Sequence, residues 1–92
     1  MDENINFCFL YGKIISKIDL NFFYNSRWHI SKVEFEVEID YKKSTRKLSK
    51  QKIMVKAYDD KADIIYKNYH KDDYIKVIGI VTNKGVEVKK IV

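Results

Sequence analysis

Apolar and polar residues alternate most cleanly between Ile30 and Tyr41. Val33, Phe35, Val37, Ile39 and Tyr41 fall on one side, and Glu34, Glu36, Glu38 and Asp40 on the other. Successive side chains of a strand point to opposite faces, so this period of two predicts a half-buried strand. Asn6 to Ile18 also reads as strand, apolar and aromatic, with Gly12 in its middle. A glycine inside a strand pattern predicts a bulge or sharp bend, which lets one strand serve two sides of a small barrel. Asn21 to Arg27 reads as an aromatic loop and Lys42 to Ser49 as a basic connection. Beyond it, Ile53, Val55 and Ala57 point inward, with Lys52, Met54, Lys56 and Tyr58 outward.

The period changes at Asp59. Asp59 and Asp60 suit the positive N-terminal end of a helix and can cap it. Ala62, Ile65, Tyr66 and Tyr69 follow at i, i+3, i+4 and i+7, one helical face. Tyr74 to Val81 returns to strand, Thr82-Asn83-Lys84-Gly85 forms a tight turn, and Gly85 to Val92 is the last strand. The order β-β-β-α-β-β, read as an all-antiparallel set, predicts an all-β protein: a five-stranded OB-fold barrel with one helix between strands 3 and 4. The face formed by Ile65, Tyr66 and Tyr69 is expected to plug one end of that barrel.

Length and composition narrow the picture. The 92 residues, with no Pro and three Gly, are expected to form a single OB-fold domain over 1–92. A domain this small buries a modest share of its surface, which favours assembly with other copies. Phe7, Phe9, Tyr11, Ile78 and Ile80 are surplus to one core and predict a homodimer or homotetramer built through strand edges or the face of the first strand. Ile78 and Ile80 have the opposite parity to Ile75, Val77, Gly79 and Val81, so they predict either a strand covered on both faces or a surface between subunits. No apolar run is long enough to span a bilayer, the N-terminus is polar and acidic, and Cys8 is the only cysteine. These features predict a cytoplasmic protein without a membrane partner.

The net charge of +5 favours a polyanionic partner, and its distribution says more. Four acids and no bases lie between Val33 and Tyr41, whereas seven bases and no acids lie between Lys42 and Lys56. Lys43, Arg46, Lys47, Lys50, Lys52 and Lys56 therefore form a candidate phosphate-tracking segment on one loop and the strand after it. The competing reading is a solvated hairpin in which Lys52 and Lys56 pair with the acidic ladder of the neighbouring strand. Tyr24 and Trp28 flank Arg27, and aromatics interleaved with a base suit recognition of unstacked bases. Trp28 packed beneath the barrel or between subunits suits the same pattern.

The residues then begin to resemble a family. Leu10-Tyr11-Gly12-Lys13-Ile14 is similar to the opening strand of bacterial single-stranded DNA-binding proteins, and Phe35-Glu36-Val37-Glu38-Ile39 to their second strand. Val55-Lys56-Ala57-Tyr58-Asp59-Asp60-Lys61-Ala62-Asp63 resembles their entry into the helix. Tyr69 to Gly79 resembles the segment that follows, with Asp72 where the family usually has Gly. The four-residue turn at Thr82 to Gly85 stands where that family has a long hairpin, and the last strand reaches Val92 without the family's acidic-tipped tail, so recruitment of partners through such a tail is not expected. The chain thus looks like a minimal or divergent relative. The resemblance implies binding of single-stranded DNA, with RNA possible, in replication, repair or mobile-element maintenance, and it implies a base-stacking role for Tyr58.

Catalysis is not expected. The sequence has no Gly-rich phosphate loop, no Ser-His-Asp order, no zinc-ligand spacing around His29 or His70 and no cofactor motif. The acidic ladder of the second strand would repel phosphates, and an OB-fold protein–protein adaptor in a replication or conjugation complex accounts for it equally well.

Overall fold

The computed structural model describes residues 6–24, 29–42 and 48–92. In chain order these form β1 (Phe7–Ile14), β2 (Asp19–Tyr24), β3 (His29–Lys42), β4 (Leu48–Tyr58), α1 (Asp59–Asn68), β5 (Tyr74–Thr82) and β6 (Gly85–Ile91). The strands run in the order β1-β5-β6-β4-β3-β2, and a further pairing of β1 with β3 closes β1, β3, β4, β5 and β6 into a ring of five. The helix lies between the third and fourth strands of that ring, so the OB-fold predicted from the element order is the fold observed.

The alternation that marked β3 fills the barrel. Val33, Phe35 and Val37 are buried, as are Val55 and Ala57 of β4, Ile75 and Val77 of β5, and Val88 of β6. Leu10 and Ile14 add β1, while Ala62 and Ile65 of α1 close the end beneath them. Burying each large aliphatic or aromatic side chain is worth roughly 1.5–3 kcal/mol, so this shared interior dominates the stability of the domain.

Gly12 is where β1 changes partner. Phe7 to Lys13 pair with β5, from Phe7 opposite Ile80 to Lys13 opposite Tyr74, and Lys13 and Ile14 pair with β3 opposite Glu38 and Val37. A Cβ at Gly12 would stand 2.5 Å from Val37 Cγ1 and 2.6 Å from the Glu38 carbonyl oxygen, inside contact distance of a neighbouring backbone. The bend is held at its exit, where the Ile15 amide donates to the Glu36 carbonyl at 2.9 Å and the Glu36 amide donates to Ser16 Oγ at 2.8 Å.

Several expectations are corrected. The first strand ends at Ile14 rather than near Ile18, and part of the expected aromatic loop is β2, paired along β3 from Asp19 opposite Glu34 to Tyr24 opposite His29. The set is not all-antiparallel, because β4 and β6 pair in parallel at Val55 with Val86 and Lys56 with Glu87. The N-cap of α1 is Tyr58, with no side-chain capping bond, and Asp59 follows in a left-handed conformation at φ 57°. Only Ala62, Ile65 and, in part, Tyr69 of the expected helical face reach the core, and Tyr66 is exposed. Phe22, part of the segment read as an aromatic loop, lies on β2 and is 52% exposed.

Asp72 also adopts a left-handed conformation, at φ 81°. It is the third residue of the turn from His70 to Asp73, closed by the Asp73 amide donating to the His70 carbonyl at 3.1 Å. A turn of this kind requires a positive φ at its third residue, the position glycine fills without strain. This accounts physically for the glycine usual at that position in the resembled family.

Candidate nucleic-acid interface

Tyr58, the residue singled out as an outward aromatic, is the last residue of β4 and lies opposite Lys32 of β3. Its position is fixed from both sides. The preceding Ala57 is fully buried. The helix that follows is clipped to β3 by Ser31, whose single hydroxyl proton is shared between Asp63 Oδ1 at 3.1 Å and the Asp59 carbonyl at 3.3 Å. The Tyr58 side chain is half-buried, leaving part of the ring accessible.

Lys50, Lys52 and Lys56 share that outward face of β4. The register sets each of them against an acid of β3: Lys50 faces Asp40, Lys52 faces Glu38 and Lys56 faces Glu34, while Met54 faces Glu36. The closest ion pair formed by these bases is diagonal, Lys50 Nζ to Glu38 Oε1 at 3.6 Å. Lys32 completes the row and reaches Glu34 Oε2 at 3.6 Å. Four bases (Lys32, Lys50, Lys52, Lys56) thus meet four acids (Glu34, Glu36, Glu38, Asp40), and Lys42, at the same parity at the end of β3 and opposite Leu48, adds a fifth base to the row. The sequence adds Lys43, Arg46 and Lys47 directly after it.

The remaining sequence candidates divide accordingly. Tyr24 ends β2 and is placed by its backbone alone. Arg27, Trp28, Lys43, Arg46 and Lys47 lie outside the described residues. Lys50, Lys52, Lys56 and Tyr58 come together on one face. Lys32 was missed, although its parity with Glu34 and its place opposite Tyr58 make it part of the same row.

Sequence reasoning also missed an aromatic pair at the other seam of the barrel. The Tyr11 and Tyr74 rings stack with centroids 5.5 Å apart and planes inclined by 26°, and Lys76 Nζ lies 5.5 Å from the Tyr11 centroid. Only the pairing of β1 with β5 brings these residues together, so no local pattern announces them. Above this pair, Phe7 and Phe9 are each 64% exposed and stand opposite Ile80 and Ile78. Ile78 and Ile80 are half-buried beside them, on the outer side of the sheet.

Among the described residues no group of three or more His, Cys, Asp or Glu side chains is placed to hold a metal ion. No described helix is long and apolar enough to cross a membrane.

No protein-family model matches the chain, and no curated protein sequence does. Solved structures do. The chain is similar to the SSB domain of a Synechococcus sp. protein, at a TM-score of 0.80 and 14% identity over 99% of this chain and 98% of that one. It is similar to the second single-stranded DNA-binding protein, SSBb, of Mycobacterium smegmatis, at a TM-score of 0.69 and 16% identity over 94% of this chain and 83% of that one. The chain has their fold. PriB of Ralstonia solanacearum shares it as well, at a TM-score of 0.74 and 10% identity over 96% of each chain. An OB-fold hosts many functions, so the interface must be argued from the side chains of this chain.

Proposed function

We propose that this OB-fold domain binds single-stranded DNA without catalysis, stacking a base on Tyr58 and guiding the phosphates along Lys56, Lys52 and Lys50 toward Lys43, Arg46 and Lys47. The observation that carries this reading is the place of the half-buried Tyr58 at the end of β4, opposite Lys32 in the register and directly before the helix that Ser31 clips to β3. Stacking on such a ring is worth roughly 1–3 kcal/mol per base and tolerates any sequence. The similarity to structures named as single-stranded DNA-binding proteins supports the same ligand. Tyr24, Arg27 and Trp28 extend this site along β2 and the residues after it, RNA is a possible second ligand, and replication, repair or mobile-element maintenance in the cytoplasm is the setting.

The exposed Phe7 and Phe9 favour self-association through the β1–β5 face, as a homodimer or homotetramer. A second reading, an OB-fold adaptor in a replication or conjugation complex, is favoured by the acids that the register sets against the bases of the β3–β4 ladder. Fluorescence titration separates the two. Oligo-dT is expected to bind more tightly than duplex of equal length, because stacking needs splayed bases. Folded protein that binds no single strand at low salt would leave the adaptor reading in its place.

A further inference from the structure

A groove lies between α1 and the connection from β1 to β2. It is lined by Lys17, Ile18, Tyr66, Tyr69, His70 and Lys71. Ile18 is buried and Tyr69 is packed in part against the core, so these two form a rigid floor. Tyr66, 49% exposed, stands over it as an accessible ring. No acid lines this groove. The nearest engaged carboxylate, Asp73, accepts a hydrogen bond from the His70 amide at 2.7 Å and lies 3.6 Å from His70 Nδ1. Lys17 and Lys71 are exposed, and neither forms an ion pair with any described residue. In the β3–β4 ladder, by contrast, Lys50, Lys52 and Lys56 each face an acid and Lys32 pairs with Glu34.

The groove is continuous with the proposed interface. Tyr58 of β4 stands opposite Lys32 of β3, and Lys32 opposite Asn21 of β2. Adjacent strands lie about 4.8 Å apart, so this row covers roughly 10 Å. Asn21 also lines a second depression with Lys17, Asp19, Phe22 and Tyr66, which carries the surface around β2 to the helix, and Asp19 is the one acid on that path.

We infer that this groove is a second contact for the same single strand, with a base stacked on Tyr66 and the flanking phosphates on Lys17 and Lys71. The inference rests on the single-stranded DNA reading and extends it: the strand leaves Tyr58, crosses β3 and β2 at Lys32 and Asn21, and passes to the helix. Unpaired cations beside an accessible aromatic over an apolar floor are the combination that single-strand grooves use.

Oligonucleotide length tests it. OB-fold sites span about 4–16 nucleotides, so an oligo-dT of about five residues fills the Tyr58 region alone and one of about sixteen reaches both. Tyr66→Ala is expected to weaken the long oligonucleotide by about 5- to 150-fold, the equivalent of one lost stacking contact, and to leave the short one unchanged. Tyr66→Phe keeps the ring and is expected to behave as wild type. Lys17→Gln with Lys71→Gln is expected to flatten the salt slope for the long oligonucleotide by about 1.4, at ~0.7 per phosphate. All three positions are outside the core, and circular dichroism checks that the variants fold. Wild-type binding at both lengths in Tyr66→Ala and in the double lysine variant would overturn the inference and leave the Tyr58 reading standing. A change in oligomer mass on Tyr66→Ala, read by light scattering, would overturn it in favour of a subunit interface. A wild-type protein that binds no single strand at either length would overturn both.

Discussion

Two outer faces of the same barrel follow the same two-residue period and carry opposite chemistry. On β3 and β4 the outward positions are charged, and the register sets acids against bases from Glu34 opposite Lys56 to Asp40 opposite Lys50. On β1 and β5 the upper outward positions are apolar, Phe7 opposite Ile80 and Phe9 opposite Ile78, and below them Tyr11 faces Lys76. Inward positions of both pairs build one buried apolar core, with Val33, Phe35, Val37, Val55 and Ala57 from β3 and β4 and Leu10, Ile14, Ile75 and Val77 from β1 and β5. Closure of the barrel therefore dictates the interior, while the exterior is free to differ. On the proposed reading, a ladder of facing acids and bases ending at Tyr58 gives a strand a track without a strongly adhesive field. An apolar sheet face suits another copy of the chain.

The two faces meet at Gly12, so the largest effect is expected there. Gly12→Val is expected to lower stability by roughly 3 kcal/mol in urea unfolding, because the added atoms meet Val37 and the Glu38 carbonyl with no room to relax. Unchanged stability would mean that β1 does not cross to β3 so closely. The second effect separates the faces. Phe9→Asp is expected to shift light-scattering mass toward the monomer, with association weakened by at least about tenfold, since each buried Phe contributes roughly 1.5–3 kcal/mol. Oligo-dT affinity per protomer in the short-oligonucleotide limit is expected to stay the same. Loss of binding with the mass unchanged would reverse the assignment of the two faces.

Smaller effects sharpen the comparison. Asp72→Gly removes a left-handed aspartate from the turn that leads into β5 and is expected to raise stability by about 1 kcal/mol, read from the urea midpoint. Its contact with Lys13, at 3.9 Å and largely exposed, contributes little against that gain. In the ladder, a double-mutant cycle with Glu38→Gln and Lys50→Gln is expected to give a coupling of about 0.2–1 kcal/mol. A coupling of several kcal/mol would make the ladder a structural element rather than a solvated face.

Much of this architecture is legible in the sequence. The alternation from Val33 to Ile39 defines β3 and its buried side, the change of period at Asp59 defines α1, and the turn at Asn83-Lys84 defines the last hairpin. What was not legible depends on pairing between distant segments. The parallel contact of β4 with β6 joins Val55 to Val86 and has no local signature. β2 lacks a long alternation and is strand because β3 extends beyond the ring to pair with it. Tyr66 has the helical spacing of a core residue, yet the barrel end accommodates only Ala62, Ile65 and part of Tyr69. At the site, parity placed Tyr58 and the lysines of β4 on one face. Neutralisation of those lysines required the register, because a one-residue slip would have turned every acid of β3 inward.

The central claim is that a base stacks on Tyr58 while the bases of β4 and the connection before it handle phosphate. The most direct measurement is a titration of wild type, Tyr58→Ala and a variant with Lys43, Arg46, Lys47 and Lys50 changed to Gln, against a short oligo-dT at two salt concentrations. Tyr58→Ala is expected to weaken binding by about 1–3 kcal/mol and keep the wild-type salt slope, since a ring releases no counterions. The basic-residue variant is expected to flatten the slope by ~0.7 for each residue that touches a phosphate. Wild-type affinity and slope in both variants would contradict the account and move the strand to another face of the barrel.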